Sequence, residues 1–399
     1  MIHQVNKLGY NEVMKLFDKP VLLVVMIAIL SVILMWTPFL LKIDRFWGID
    51  FNGRSMQTIV ENFDGINFLV IAKSLYDPKT IEVQYASILS GRQNLYFSAH
   101  YPGFPLLIKL FDTILSGPNA LLSAIIVSNA LLAYALYIFF VSITKDKKMS
   151  LYLSVISLFI PARMMSMRMV GSNESLFMFF VLTSLVASIQ NKHWIAGLIG
   201  SAAVLTRSPG ILLFFAYMCK PAIDWYKSRK VEWNDIIPYL LIPLSLVALW
   251  IFYGVEFGDF LAYFKVGGNI NLYFPPFMIF GSNFDWISGM WLEDIIYTYG
   301  FYSIGIGLFI NDFGKQKKEF AVLGYFALIY MAMIIFVVHR DISRYVLPIS
   351  PIIIAGFSKY LNNKYFRYGI FILLIPIVLY SWNFILNNVQ PIMDWAPFL

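Results

Sequence analysis

Charge is scarce in this sequence. Of its 399 residues only 13% are Asp, Glu, Lys or Arg and 59% are hydrophobic, where a soluble domain carries roughly a quarter charged residues. So little polar surface cannot clothe a water-soluble fold of this size, which excludes an ordinary globular enzyme. A single cysteine, Cys219, excludes an intrachain disulfide and a Cys-based metal site. The four histidines (His3, His100, His193 and His339) are scattered, which argues against a histidine cluster. No internal repeat and no low-complexity tract is evident. No cleavable signal peptide is expected either: the first apolar run starts only after about twenty polar, partly basic residues and runs on too far for a short signal core.

What is present is a series of apolar runs, and the mean hydropathy is +0.70. They predict an all-α polytopic membrane protein forming one body over residues 1–399, with spans near 20–41, 119–142, 150–162, 174–190, 194–206, 209–222, 236–254, 292–311, 320–338, 345–359 and 368–386. Three of these (150–162, 194–206 and 345–359) are short for a hydrocarbon core of about 30 Å. Short helices at membrane depth are tolerated where they line an enclosed cavity, so the reading includes a cleft.

The net charge of +7 would suggest nucleic acid on a soluble protein. Here it is better explained by basic residues anchoring cytoplasmic loops, and no nucleic-acid partner is expected. With the N-terminus inside, the inner segments collect Lys7, Lys15 and Lys19, then Lys145, Lys147 and Lys148, Lys192, then Lys220, Lys227, Arg229 and Lys230, and finally Lys315, Lys317, Lys318, Lys359, Lys364 and Arg367. The short outer loops hold only Arg163, Arg168, Arg207, Arg340 and Arg344. Two outer segments are long. The first, 43–118, has apolar residues at helical spacing between Ser55 and Tyr76, which predicts a helix lying at the interface. The second, 255–291, is rich in aromatics.

On this topology Asp64, His100, Arg163, Arg168, Glu174, Arg207, His339, Arg340, Asp341 and Arg344 all meet the outer leaflet. Ionisable residues at the membrane boundary are costly and mark function by default. Each also has a plainer explanation. Asp64 suits a helix cap. Ser208-Pro209 is a helix start, which makes Ser208 structural. Glu174 sits where a helix dipole welcomes a carboxylate. Asp341 and Arg344 are spaced to pair with one another, His100 lies in a turn-rich stretch, and the outer aromatics suit an interfacial belt. What these explanations leave unaccounted for is the common sidedness of acid, base and cation.

The segment Phe63-Asp64-Gly65-Ile66-Asn67-Phe68-Leu69-Val70-Ile71-Ala72 resembles the first-luminal-loop element of PIG-V-like mannosyltransferases, members of the GT-C class of integral-membrane glycosyltransferases. Tyr101-Pro102-Gly103-Phe104-Pro105-Leu106, Ser172-Asn173-Glu174-Ser175-Leu176-Phe177, Leu205-Thr206-Arg207-Ser208-Pro209-Gly210 and Arg344-Tyr345 are similar to later elements of that class, in the same order. Phe63 stands where the family favours Trp, and Ser208 separates an Arg from a Pro that the family places together. The first loop has no Asp-x-Asp motif, which argues against a metal-dependent oligosaccharyltransferase. No metal site or cofactor is assigned, and participation of a divalent ion is left open.

The resemblance implies a GT-C-like fold of about eleven spans and an inverting transfer of a hexose, with mannose first. The sugar would pass from a polyprenyl- or dolichyl-phosphate donor to a lipid, glycan or protein hydroxyl on the non-cytoplasmic face, amid membrane lipids. It implies Asp64 as the base, and Arg207 and Arg344 at the donor phosphate with Arg163, Arg168 and Arg340 behind them. His100, Tyr101, Glu174, His339, Asp341 and Tyr345 would orient oxygens of sugar or phosphate. Two readings compete: a transporter or flippase of a lipid-linked or anionic substrate, which places its charges near mid-membrane in repeated halves, and a non-catalytic scaffold in which Asp64 is expendable.

Overall fold

The computed structural model describes residues 19–89, 93–229, 232–266, 271–281, 284–315 and 317–399. His3, Lys7, Lys15 and Lys230 lie outside them. Among the described residues, four helices are long and apolar enough to cross a membrane: Lys19–Leu40, Gly117–Thr144, Ile237–Phe257 and Lys364–Asn387. A fifth crossing is obtained if Lys147–Ser157 and Ala162–Arg168, which meet at a bend of 74°, form one broken span. Eleven crossings are therefore not confirmed. Several of the remaining expected spans coincide with shorter apolar helices, Glu174–Ile189, His193–Thr206 and Ile342–Gly356. At 1.5 Å per residue the first two reach only about 24 and 21 Å. Glu174–Ile189 is mostly buried and packs against both Gly117–Thr144 and His193–Thr206, whereas His193–Thr206 keeps Trp194, Ile195 and Leu198 exposed.

The Gly117–Thr144 helix is the central post, in contact with Lys19–Leu40, Lys147–Ser157, Glu174–Ile189 and Gly103–Asp112. Its apolar residues run all around its circumference, the pattern of a buried helix, and most of it is buried. Its first residue lies against Lys73 and Phe398, and the helix delivers the chain to Lys145 about 42 Å away. Two apolar cores result. One fills the bundle, and the other lies beneath the segment after the first helix; Phe63 packs against both.

The expected interfacial helix over 55–76 is overturned. The chain divides at Glu61–Asp64 into Gln57–Val60 and Gly65–Ser74, and almost every residue of the second helix is buried. Its sequence, Gly-Ile-Asn-Phe-Leu-Val-Ile-Ala-Lys-Ser, is mostly apolar, and its one lysine, Lys73, bonds to Asp112 at 2.7 Å. The outward apolar stripe belongs instead to the Gly103–Asp112 helix and the turn after it, where Leu106, Leu110 and Ile114 are exposed one turn apart.

Two close backbone approaches bring the polar turns together. A Cβ on Gly171 would stand 2.5 Å from the Cα of Gly65, and one on Gly103 would stand 2.3 Å from Oγ1 of Thr206. Only glycine permits contacts this tight. They press the Asp64 turn onto the Ser172–Glu174 turn, and the His100–Pro102 turn onto Arg207.

Candidate active site

Asp64 stands at the N-cap position of the Gly65–Ser74 helix, yet its side chain makes no capping bond. The preceding Phe63 holds a left-handed backbone (φ 51°), a costly conformation for a bulky residue that persists only where its surroundings impose it. Those surroundings are visible. The Phe63 ring stacks on Phe384 at 5.6 Å, and the Arg344 guanidinium lies 4.8 Å above it. Asn62 is fully buried, donates to the Ile385 carbonyl at 2.7 Å and accepts from Asn388 at 3.1 Å. The turn is thereby clamped, and the carboxylate is released into a cavity of about 240 Å³.

Seven of the residues expected from sequence line that cavity: Asp64, His100, Tyr101, Arg207, His339, Arg344 and Tyr345. The two Asp64 oxygens are divided between partners. Oδ1 faces His100 Nε2 at 3.3 Å, and Oδ2 faces Arg344 Nη2 at 3.5 Å. Burial would raise this carboxyl, but the His100 hydrogen bond and the charges of His100, Arg344 and Arg207 outweigh it and hold Asp64 well below the usual carboxylate range. It is ionised at neutral pH. His100 Nε2 also lies 3.4 Å from the Asn67 amide. One ring nitrogen cannot serve both neighbours in one state: protonated it donates to Asp64, and unprotonated it accepts from Asn67. His100 thus has a place for a proton beside the carboxylate.

Glu174 does not line the cavity but lies directly behind it. One oxygen, Oε1, accepts from Arg207 Nη1 and, at 2.5 Å, from Arg344 Nε. The Glu174 side chain is 1% exposed and each arginine 13%. A guanidinium has five N–H donors, so both arginines retain donors beyond those committed to Glu174. The arginines are further fixed by rings, with Arg207 lying 5.6 Å over Tyr345. His339 Nδ1 accepts from the Asp341 amide at 3.0 Å, and burial pushes its pKa down to about 4 against the pull of Asp341, with Arg344, Arg340 and Arg207 assisting. It is a neutral imidazole presenting Nε2–H.

Four of the expected residues are placed elsewhere. Arg168 turns into the interior, donating to Asn129 Oδ1 (2.7 Å), Ser31 Oγ (2.9 Å) and the Leu158 carbonyl (2.5 Å). Leu158 ends the Lys147–Ser157 helix, so Arg168 satisfies backbone exposed by the break, which accounts for its burial. Arg163 pairs with Asp341 at 2.7 Å, donates to Ser343 and covers the Phe384 ring at 3.9 Å. Arg340 is exposed and does not line the cavity.

Other lining residues were not singled out. Ser208, read as structural, accepts from Tyr263 at 3.0 Å at the cavity wall. Asn271 reaches the site because the second long segment lies along 335–338: the Val338 amide bonds to the Asn271 carbonyl at 2.9 Å. Nothing local in the sequence marks Asn271. Asn67 does not line the cavity but reaches His100, and its place three residues after Asp64 on one helix face could have marked it. Among the described residues, no three His, Cys, Asp or Glu side chains converge as a metal site.

No family model matches the chain, and no curated protein is similar to it in sequence. Among solved structures it is similar to the archaeal oligosaccharyltransferase AglB from Archaeoglobus fulgidus, determined in complex with an inhibitory peptide and a dolichol-phosphate, at a TM-score of 0.51 and 12% identity. The match covers 94% of this chain and 57% of that one, so this chain spans little more than half the length of that protein. At this identity the likeness is one of fold.

Removing the acid behind the site takes from two largely buried cations the partner they share, and leaves Arg344 only its longer contact with Asp64. Glu174→Gln is expected to lower unfolding free energy by about 3–5 kcal/mol, the usual cost of breaking a buried ion pair from one side. A thermal or denaturant melt in detergent measures this, and an unchanged midpoint contradicts the bridging role.

Proposed function

We propose that this protein is an inverting membrane glycosyltransferase. In this reading it moves a hexose, for which the sequence resemblance favours mannose, from a polyprenyl- or dolichyl-phosphate donor to an acceptor hydroxyl. The observation that carries the reading is the Asp64 carboxylate, which forgoes a helix cap to face a cavity that it shares with Arg207 and Arg344. The fold shared with an oligosaccharyltransferase determined in complex with a dolichol-phosphate supports it.

In the proposed step the acceptor oxygen attacks the anomeric carbon, and the bond from that carbon to the phosphate oxygen breaks with its electron pair leaving on the phosphate. Asp64 receives the hydroxyl proton as the new bond forms, with His100 beside it to hold that proton next. A carboxylate held this ionised is a weak base, so proton transfer accompanies bond-making rather than preceding it. Arg207 and Arg344 stabilise the charge gathering on the phosphate through donors fixed before the reaction begins. Glu174 positions both arginines, and Tyr101, Tyr345 and His339 orient the sugar or the phosphate. Arg163 and Asp341 support this wall as a pair, Arg340 lies at its exposed edge, and Arg168 has a structural part only.

The orientation belongs to the same proposal: N-terminus cytoplasmic, site on the non-cytoplasmic face. The positive-inside asymmetry supports it. Lys145 lies near Lys317, and Lys359 pairs with Asp312, at the end of the bundle remote from the cavity.

Two measurements test the assignment. Asp64→Asn is expected to lower kcat by about 10²–10⁴-fold, the usual worth of a positioned base, while the purified protein stays folded; wild-type turnover in that variant overturns the role. His100→Leu removes the hydrogen bond that opposes burial most strongly, because leucine has no donor, so the Asp64 carboxyl rises toward its ordinary value near 3.9. The acid limb of kcat/KM then moves to higher pH. A limb that stays in place in a pH-rate profile contradicts the coupling.

A further inference from the structure

A second concavity lies on the other side of the Glu61–Asn62 turn from the catalytic cavity, between the end of the first helix and the last one. Directly after Lys42 the chain makes a short hairpin, with Arg45–Phe46 paired to Ile49–Asp50. Its tip residues Trp47 and Gly48 both have positive φ, the two-residue turn that matches strand twist. The hairpin holds Phe46 edge-on to Trp382 at 5.8 Å and leaves Trp47 65% exposed. Between it and the Lys364–Asn387 helix runs a slot of about 210 Å³, lined only by apolar side chains.

Ile375, Leu379 and Trp382 form its helical wall, and the next step of the same stripe is Leu386. Leu386, about 6 Å further along the axis, borders a different space: a cavity of about 700 Å³ walled by Lys42, Arg54, Thr58, Glu61 and Asn387. Arg54 fastens the two walls by donating to the Leu386 carbonyl at 2.8 Å. The one acid in this wall, Glu61, is largely buried: Oε1 accepts from the Ile392 amide at 3.2 Å, and burial raises its carboxyl against the pull of that bond and of Arg54. Lys42 and Arg54 are exposed at the mouth. A cationic, hydroxyl- and amide-lined chamber thus sits over an apolar slot, at the point where a membrane-length helix ends and an exposed tryptophan marks the interface.

We propose that chamber and slot together bind one anionic phospholipid, with its phosphate against Lys42 and Arg54 and an acyl chain between Trp47 and the Ile375–Trp382 face. The site stands independently of the transferase reading. It is separated from Asp64 only by the Glu61–Asn62 turn, so an occupant would brace the outer side of the turn that carries the proposed base.

The test is lipid retention by the purified full chain after extensive detergent washing, read by native mass spectrometry with phosphatidylglycerol and phosphatidylcholine as probes. Wild type should retain phosphatidylglycerol about tenfold over phosphatidylcholine, whose choline cation offsets the phosphate charge beside the two basic side chains. Lys42→Ala should bring phosphatidylglycerol down to the phosphatidylcholine level, and Ile375→Trp, which fills the slot from an exposed position, should release both. Equal retention of the two lipids by wild type, or a preference that survives both substitutions, overturns the proposal. Displacement of the lipid by an equal concentration of glycerol 3-phosphate overturns the part assigned to the slot.

Discussion

A single buried carboxylate organises the face of this protein that carries the cavity. Glu174 grips Arg207 from one segment and Arg344 from another with one oxygen, and none of these charges is tolerable in an apolar body without the others. Arg344 in turn reaches Asp64, so four charges from four separate parts of the chain balance within one cluster. The tight glycine contacts serve this cluster: were Gly65 and Gly171 held apart by side chains, the Asp64 turn could not approach the turn that carries Glu174. The left-handed Phe63, clamped by Asn62 and by rings from the last helix, sets the final orientation.

Much of this was legible from the amino acids. Low charge and long apolar runs predicted a helical membrane body, and grouping the ionisable residues brought together five that line the cavity: Asp64, His100, Arg207, His339 and Arg344. Spacing could not show which charges were already committed inside the fold. Arg163 and Asp341, far apart in sequence, satisfy each other, and Arg168 answers a carbonyl freed by the helix break before Pro161, a partner that spacing alone does not reveal. Glu174 was read at a helix N-terminus, where its neighbours in sequence say nothing of the two arginines that arrive from elsewhere. The Gly65–Ser74 helix looked interfacial because alternate turns of a mostly apolar helix still mimic a stripe. The count of eleven crossings is not confirmed for a related reason: helices of fourteen to sixteen residues carry the composition of a span without the length of one.

The catalytic proposal rests on a division of labour between groups of opposite character. An acid kept ionised by His100 and Arg344 can take a proton only as a new bond develops, and cations already fixed on Glu174 meet negative charge without reorganising. The alternative of a transporter requires the same charges but no chemistry.

The decisive measurement is incubation of the purified protein in detergent or nanodiscs with a panel of polyprenyl-phosphate sugars, mannose among them, and a mixture of candidate hydroxyl acceptors. The account predicts that one donor is consumed with stoichiometric release of polyprenyl phosphate. Intact donors throughout, with the same protein moving a lipid-linked or anionic substrate across a sealed vesicle membrane, would contradict it.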